Sequence, residues 1–271
     1  MAQPVSTSYQ RPRRLRARSR LGKYRIEALL AEGNYSNVYR AFDTIENNRV
    51  ALKVPHPHLA DEAFLDGFRH EARLATKIQH PRLLSLKDAS IIDSHFVLAY
   101  PLGLESLSDR LGRRISSDNL LLFIDQCLEG LSHLHQHRVI HCDIKPENFI
   151  IFPGPSIRLA DFGIARLAIR TLQASGSGTP GYMAPEQAMG KPSFRSDVFA
   201  IGLLLYRMIA GQLPDYPFKW PPPGCAKLRR KARPEFVALI RKALEVSPRR
   251  RFRDADALYR DFRRLRKSAF Y

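Results

Sequence analysis

Eight consecutive residues, His141-Cys-Asp-Ile-Lys-Pro-Glu-Asn148, with Asp161-Phe-Gly163 following thirteen positions after Asn148, constrain this chain more than any other feature. A helix-like apolar run, Leu120 to Leu134, leads into the octad, and two short apolar runs, Phe149 to Phe152 and Ile157 to Ala160, follow it. This pattern predicts a helix, a charged loop and a strand pair, with the second acidic residue at a strand end. Asp143, Lys145, Asn148 and Asp161 combine a carboxylate base, a cation, a neutral oxygen ligand and a second carboxylate. Such a set is suited to positioning a hydroxyl against a metal-bound phosphate.

The octad and the Asp-Phe-Gly triplet resemble the signature of protein kinases, whose catalytic loop reads H-R-D-x-K-x-x-N. Only the arginine departs, as Cys142. The resemblance extends motif by motif from about Leu21 to Lys267. It implies an α+β, bilobal protein kinase fold, with a small β-rich N-lobe carrying one helix (about 21–99) and a larger, mainly helical C-lobe (about 102–267). Residues 268–271 are left as a tail.

Between Tyr24 and Val54 the chain reads as strands, with turns at Glu32 to Asn34 and Glu46 to Asn48. Leu30-Ala-Glu-Gly-Asn-Tyr-Ser-Asn-Val38 is similar to the family's glycine-rich nucleotide loop, but of its three glycines only Gly33 is kept; Ala31 and Ser36 replace the others. Glycines in such a loop let backbone N–H groups approach phosphate closely. Alternation along Val50-Ala-Leu-Lys-Val54 turns Val50, Leu52 and Val54 to one face and Ala51 and Lys53 to the other. Helical spacing of Phe64, Phe68, Ala72, Ala75 and Ile78 predicts a helix over 64–79, with Glu71 along its apolar face. A carboxylate there is costly unless paired.

The resemblance assigns Lys53 to the α- and β-phosphates of ATP and Glu71 as its ion-pair partner. It sets Tyr35 at the loop tip, sandwiches adenine between Leu30 and Val38, makes Leu98 the gatekeeper, and counts Ser36, Tyr100 and Ile150 among the nucleotide-lining positions. Asp143 becomes the catalytic base, Lys145 the cation at the transferring group, and Asn148 and Asp161 the Mg²⁺ ligands. Gly178-Thr-Pro-Gly-Tyr-Met-Ala-Pro-Glu-Gln187 carries the family's A-P-E. With Lys145 and Thr179, it points to the serine/threonine branch and resembles the eukaryotic-type kinases of bacteria. The same resemblance has Asp197 anchor the catalytic loop and Arg251 pair with Glu186.

Three cysteines without a C-x-x-C pair indicate neither a disulfide framework nor a zinc site, and a reducing cytoplasm is the expected setting. Val198 to Ala210 is apolar but interrupted by Arg207 and too short to span a bilayer. The histidines between His133 and His141 are read as helix-end and packing residues rather than as a metal site. A formal charge of +18 favours acidic partners, acidic protein substrates among them. Met1 to Arg20 is rich in arginine and free of acid, so it is expected to be a disordered basic arm. A nucleic-acid partner is the less favoured reading, since no aromatic residues are interleaved for base stacking.

The expected activity is transfer of the γ-phosphoryl group of ATP to Ser or Thr hydroxyls of proteins. The alternative is a pseudokinase scaffold that binds nucleotide without transfer, suggested by the depleted glycine loop and Cys142. A small-molecule kinase of the aminoglycoside or choline type shares the D-x-x-x-x-N spacing but lacks the Lys145, Thr179 and A-P-E features.

Overall fold

A computed structural model describes residues 14–33, 35–56, 62–162 and 181–271, with the side chains of 62–64 excepted. Asn34, Gly163, Thr179 and residues 164–178, where the family resemblance puts the activation segment, lie outside the described residues. The chain divides into two compact units. One comprises residues up to Asp66 with Leu86–Leu102, and the other Gly67–Ser85 with Gly103–Tyr271.

The first unit is a six-stranded antiparallel sheet of β1 (Arg20–Leu21), β2 (Tyr24–Glu32), β3 (Ser36–Asp43), β4 (Asn48–Pro55), β5 (Asp88–Ile92) and β6 (His95–Pro101), ordered β1-β2-β3-β4-β6-β5. Its core forms where alternate residues of these strands meet: Tyr24, Ile26, Tyr39, Ala41, Val50, Leu52, Val54 and Val97 are buried together. The β3–β4 turn is organised by Asp43, whose Oδ1 accepts from the backbone N–H groups of Ile45 (3.0 Å) and Glu46 (3.1 Å) and whose Oδ2 pairs with Lys23 at 2.9 Å. Burial alone would raise the Asp43 carboxyl, but these donors together hold it below the ordinary carboxylate value.

The basic arm ends earlier than its composition indicates. Among the described residues, Leu15 packs against the sheet core, Arg18 N–H donates to Ile26 O at 2.8 Å, and Ile26 N–H donates to Ser19 O at 2.9 Å. Residues 14–20 are therefore held against the sheet, with strand pairing at Arg20, instead of belonging to a free arm. A single apolar side chain and main-chain pairing outweigh local charge here.

Helix α1 (Glu62–Lys77) is divided between the two units. The boundary therefore differs from a single cut near residue 100. The stretch after α1 belongs with the second unit because Leu83 bridges Leu159, with Leu84 N–H on Leu159 O and Leu159 N–H on Arg82 O, both 2.8 Å.

In the second unit a small sheet of β7 (Glu105–Ser106), β8 (Phe149–Phe152) and β9 (Ser156–Leu159) accompanies helices α2 (Leu107–Leu111), α3 (Ser117–Gln136), α4 (Pro185–Ala188), α5 (Phe194–Ala210), α6 (Cys225–Lys231), α7 (Pro234–Ala243) and α8 (Ala255–Leu265). Helix α5 is buried on nearly every face, as its apolar sequence requires, and Gly211 ends it in the left-handed conformation at φ 79°. Its N-cap is Ser193. Ser196 Oγ accepts from Ser193 N–H at 3.0 Å and donates to Glu186 at 2.8 Å. The last residues are not a loose tail. Arg233 N–H donates to Ala269 O at 2.9 Å, and the Phe270 ring lies 5.8 Å from that of Phe236. Among the described residues no helix is long and apolar enough to cross a membrane.

Candidate active site

The loop from His141 to Asn148 is shaped by one buried carboxylate. Asp197, in the first turn of α5 and 1% exposed, accepts from the backbone N–H groups of His141 at 2.7 Å and Cys142 at 2.9 Å. The His135 Nε2 atom reaches the same carboxylate at 3.0 Å, and its Nδ1 accepts from Ala255 N–H at 2.9 Å, so Nε2 carries the proton toward Asp197. His141 works similarly: Nδ1 accepts from Asp143 N–H at 3.2 Å and Nε2 donates to Ala160 O at 2.9 Å. Both histidines are hydrogen-bonded structural residues, in line with the sequence reading.

Two residues of this region adopt the left-handed conformation that side chains disfavour: Cys142 at φ 65° and Asp161 at φ 60°. Cys142 is held there from both sides, by Asp197 on its N–H and by Gln187 Nε2 on its carbonyl at 2.6 Å. Burial, then Asp197 and Asp143, push its thiol well above the ordinary range. A thiolate is thus disfavoured.

The carboxylate so positioned is Asp143. Its Oδ2 pairs with Lys145 Nζ at 2.8 Å and accepts from Asn148 Nδ2 at 3.1 Å, while its Oδ1 has no partner among the described residues. Asn148 Nδ2 also donates to Asp143 O at 2.7 Å. With its NH₂ group committed to Asp143, Asn148 presents its oxygen elsewhere. Asn148 is tied in turn to the Asp161 segment, since its carbonyl accepts from Ala160 N–H at 2.8 Å. Ile150 lies in β8, half-buried.

In the first unit, strand register brings a second set together. Val38 and Lys53 are partners across β3 and β4, Lys53 and Leu98 across β4 and β6, and Ala51 and Tyr100 likewise. Cross-strand partners share a face and so do residues two apart, so Val38, Ala51, Lys53, Leu98 and Tyr100 line one side of the sheet. Lys53 is only 3% exposed, and Glu71, on the second unit's part of α1, 2%. Charges buried this far require charged or strongly polar neighbours.

The β2–β3 turn explains why one glycine survives. Gly33 N–H donates to Ser36 O at 2.9 Å, and a Cβ on Gly33 would stand 3.0 Å from that same oxygen. Ser36, at the third glycine's position, is 8% exposed; Tyr35 is half-buried, and Leu30 is 47% exposed. A contact that sequence reasoning missed closes the turn: His56 Nε2 donates to Gly33 O at 2.8 Å, and His56 N–H donates to Tyr35 O at 2.9 Å. Nothing in the local pattern around His56 signals this, since it depends on the hairpin's folded geometry.

The Glu186–Arg251 pair expected from the sequence is present and bidentate, at 2.7 and 3.0 Å, with Arg251 also donating to Arg195 O, Val246 O and Glu245 O. It fixes α4, whose Gln187 contacts the loop at Cys142. Among the described residues no group of three or more His, Cys, Asp or Glu could hold a metal ion, and His133 stacks between His80 and His137.

The comparisons with known proteins agree with this geometry. The protein kinase domain family matches residues 24–262. A serine/threonine-protein kinase of Myxococcus xanthus, pkn3, is 33% identical over 87% of this chain and 48% of its own length, and PrkC of Bacillus subtilis is 32% identical over 71% of this chain and 31% of its own. The chain thus spans half or less of these relatives. The crystal structure of the Mycobacterium tuberculosis PknI kinase domain is similar with a TM-score of 0.69 at 25% identity, covering 93% of this chain and 99% of that one. With the loop geometry and these matches together, the chain belongs to the protein kinase family, in the eukaryotic-type serine/threonine branch found in bacteria.

Proposed function

We propose that this chain transfers the γ-phosphoryl group of ATP to Ser and Thr hydroxyls of proteins. The observation that carries the reading is Asp143. Its Oδ2 is engaged by Lys145 and Asn148, and its Oδ1 has no partner among the described residues, on a loop that Asp197 clamps. In this mechanism Asp143 Oδ1 accepts and orients the proton of the incoming hydroxyl, and Lys145 neutralises charge on the group in transit. Positioning and charge neutralisation are most of what phosphoryl transfer demands of a protein.

Lys53 orients the α- and β-phosphates, and Glu71 is the carboxylate that the family pairs with that lysine. Leu30, Val38, Ala51, Leu98, Tyr100 and Ile150 contact the nucleoside, while Gly33, Tyr35 and Ser36 form the turn over the phosphates. Asn148 and Asp161 are the ligands proposed for Mg²⁺. The oxygen that Asn148 presents and the Asp161 carboxylate are hard donors, and Mg²⁺ typically takes one or two protein ligands alongside substrate phosphates. When bound, Mg²⁺ would neutralise phosphate charge.

Cys142 bears no cation with which to grip a phosphorylated activation segment. Gln187 supports the loop at that point through the main chain. We therefore expect activity to be independent of activation-segment phosphorylation. The Thr171→Ala, Ser175→Ala, Ser177→Ala triple variant should keep activity within about threefold of wild type, a loss too small for a required order switch. A fall comparable to that of Asp143→Asn would refute this.

The reading is tested by phosphate incorporation from labelled ATP with Mg²⁺ into an acidic and a basic generic acceptor, with Lys53→Met and Asp143→Asn as controls. Phosphoserine or phosphothreonine lost in both controls supports it, and preference for the acidic acceptor supports acidic substrates. Nucleotide-dependent thermal stabilisation without incorporation would favour the pseudokinase, for which Ala31 and Ser36 in place of glycines are the supporting observation.

A further inference from the structure

The positive charge is concentrated in one stretch of the sequence to which the phosphoryl-transfer reading gives no role. Residues 226–267 carry sixteen Lys and Arg against five Asp and Glu, a net +11 of the chain's +18. Helices α7 and α8, with the stretch between them, enclose a recess of about 320 Å³ lined by Lys242, Arg251, Phe252, Arg253, Arg260, Asp261 and Arg264. Lys242 Nζ lies 4.1 Å from the centroid of the Phe252 ring and has no acidic partner among the described residues.

The remaining exposed cations are paired only at the surface. Arg253 is 3.1 Å from Asp254, Arg260 is 3.1 Å from Asp256, and Arg264 is 3.3 Å from Asp261, with the three arginine side chains 57–79% exposed. Ion pairs of this kind are weak and readily exchanged for a stronger anion. Arg251, in contrast, is fully engaged with Glu186 and backbone carbonyls and is not available to a ligand.

We propose that this recess is a docking site for a phosphorylated serine or threonine on a protein, that is, for a product of the chain's own reaction class. A phosphate monoester carries close to two negative charges and three strong acceptor oxygens, which match Lys242, Arg253 and Arg260. The recess is open and large enough to admit one phosphorylated side chain. Recognition of phosphorylated motifs by clustered basic residues is an established mode of binding. Docking of this kind would favour acceptors already phosphorylated once.

The proposal rests on the kinase reading only for the origin of its ligand. Its test is therefore run in the full chain both as wild type and as Asp143→Asn, in which binding is read without transfer. The probe is a fluorescent peptide pool randomised around one fixed phosphothreonine, with the unphosphorylated pool and a DNA duplex as comparators, measured by anisotropy at 0.15 M salt. The phosphorylated pool should bind at least tenfold more tightly than the unphosphorylated one in both backgrounds. Lys242→Ala and Arg260→Ala, both at exposed positions, should each weaken binding roughly tenfold, as loss of a charge-assisted contact does. Equal binding of the two pools, or unchanged binding in both variants, would overturn the proposal. So would a duplex that binds more tightly than the phosphopeptides and is weakened by the same substitutions.

Discussion

The β2–β3 turn is held by main-chain hydrogen bonds and one imidazole, whereas the loop from His141 to Asn148 is held by side chains that converge from α3, α4 and α5. At the turn, a change of side chain leaves the fastening intact, and Ala31 and Ser36 stand where the family has glycines. At the loop, each support is one particular group, and only Cys142 departs from the family's pattern. Cys142 itself is fixed through its backbone N–H and C=O. Departures from a motif are thus found where the main chain does the holding.

The largest effect expected from this contrast is that of Asp197→Ala. It leaves two buried backbone N–H groups and the His135 ring without an acceptor, which should cost about 3–5 kcal/mol of stability, at 1–3 kcal/mol per orphaned donor with partial relaxation. Phosphoryl transfer should fall by at least about 100-fold through misplacement of Asp143. Denaturant unfolding and initial rates check both, and a loss of under 1 kcal/mol would break the contrast.

Next comes His56→Ala, which removes one of several fastenings of the turn. Stability should fall by about 1 kcal/mol, the usual worth of one hydrogen bond, while the ATP KM rises several-fold with kcat little changed. A kcat loss with unchanged KM would place His56 in a different role. Smaller still is Ser36→Gly, which restores the family's residue. It should destabilise by no more than about 1 kcal/mol through added backbone freedom and leave KM within about twofold.

The smallest effect concerns the helix leading into the loop. Burial holds the His80 imidazole below its ordinary value, with Arg82 and His137 adding to the effect and Glu129 opposing it; burial, His80 and His137 do the same for His133. The native state then takes up protons less readily than the unfolded chain, so stability is lost as pH falls through the unfolded imidazole value of about 6.5. The Tm should drop between pH 7.5 and 5.5, and His133→Gln should flatten that drop. Parallel slopes for wild type and variant would show that these rings do not contribute.

Much of this was legible in the sequence because the loop's chemistry is contiguous. Asp143, Lys145 and Asn148 lie within six residues, so their meeting needs only one local turn, and the shared face of Ala51 and Lys53 follows from strand alternation, whereas Val38 joins them only through the strand register. What escaped was long-range. His56 acquires its role only when the hairpin folds back on it. Leu15 pins a stretch whose charge reads as disorder, and Phe270 packs a segment whose position reads as a tail. Lys227 to Arg233 and Arg263 to Lys267 are basic runs that the sequence shows directly. The recess at Lys242 appears only once α7 and α8 converge.

The most direct measurement is a paired one on Asp143→Asn: the ATP dissociation constant beside the rate of phosphoryl transfer. The account predicts nucleotide binding within about threefold of wild type and transfer reduced by about 10²–10⁴, the range for loss of a positioned general base. Transfer near the wild-type rate with binding intact would contradict it, because the open carboxylate oxygen would then not be the group on which the reaction depends.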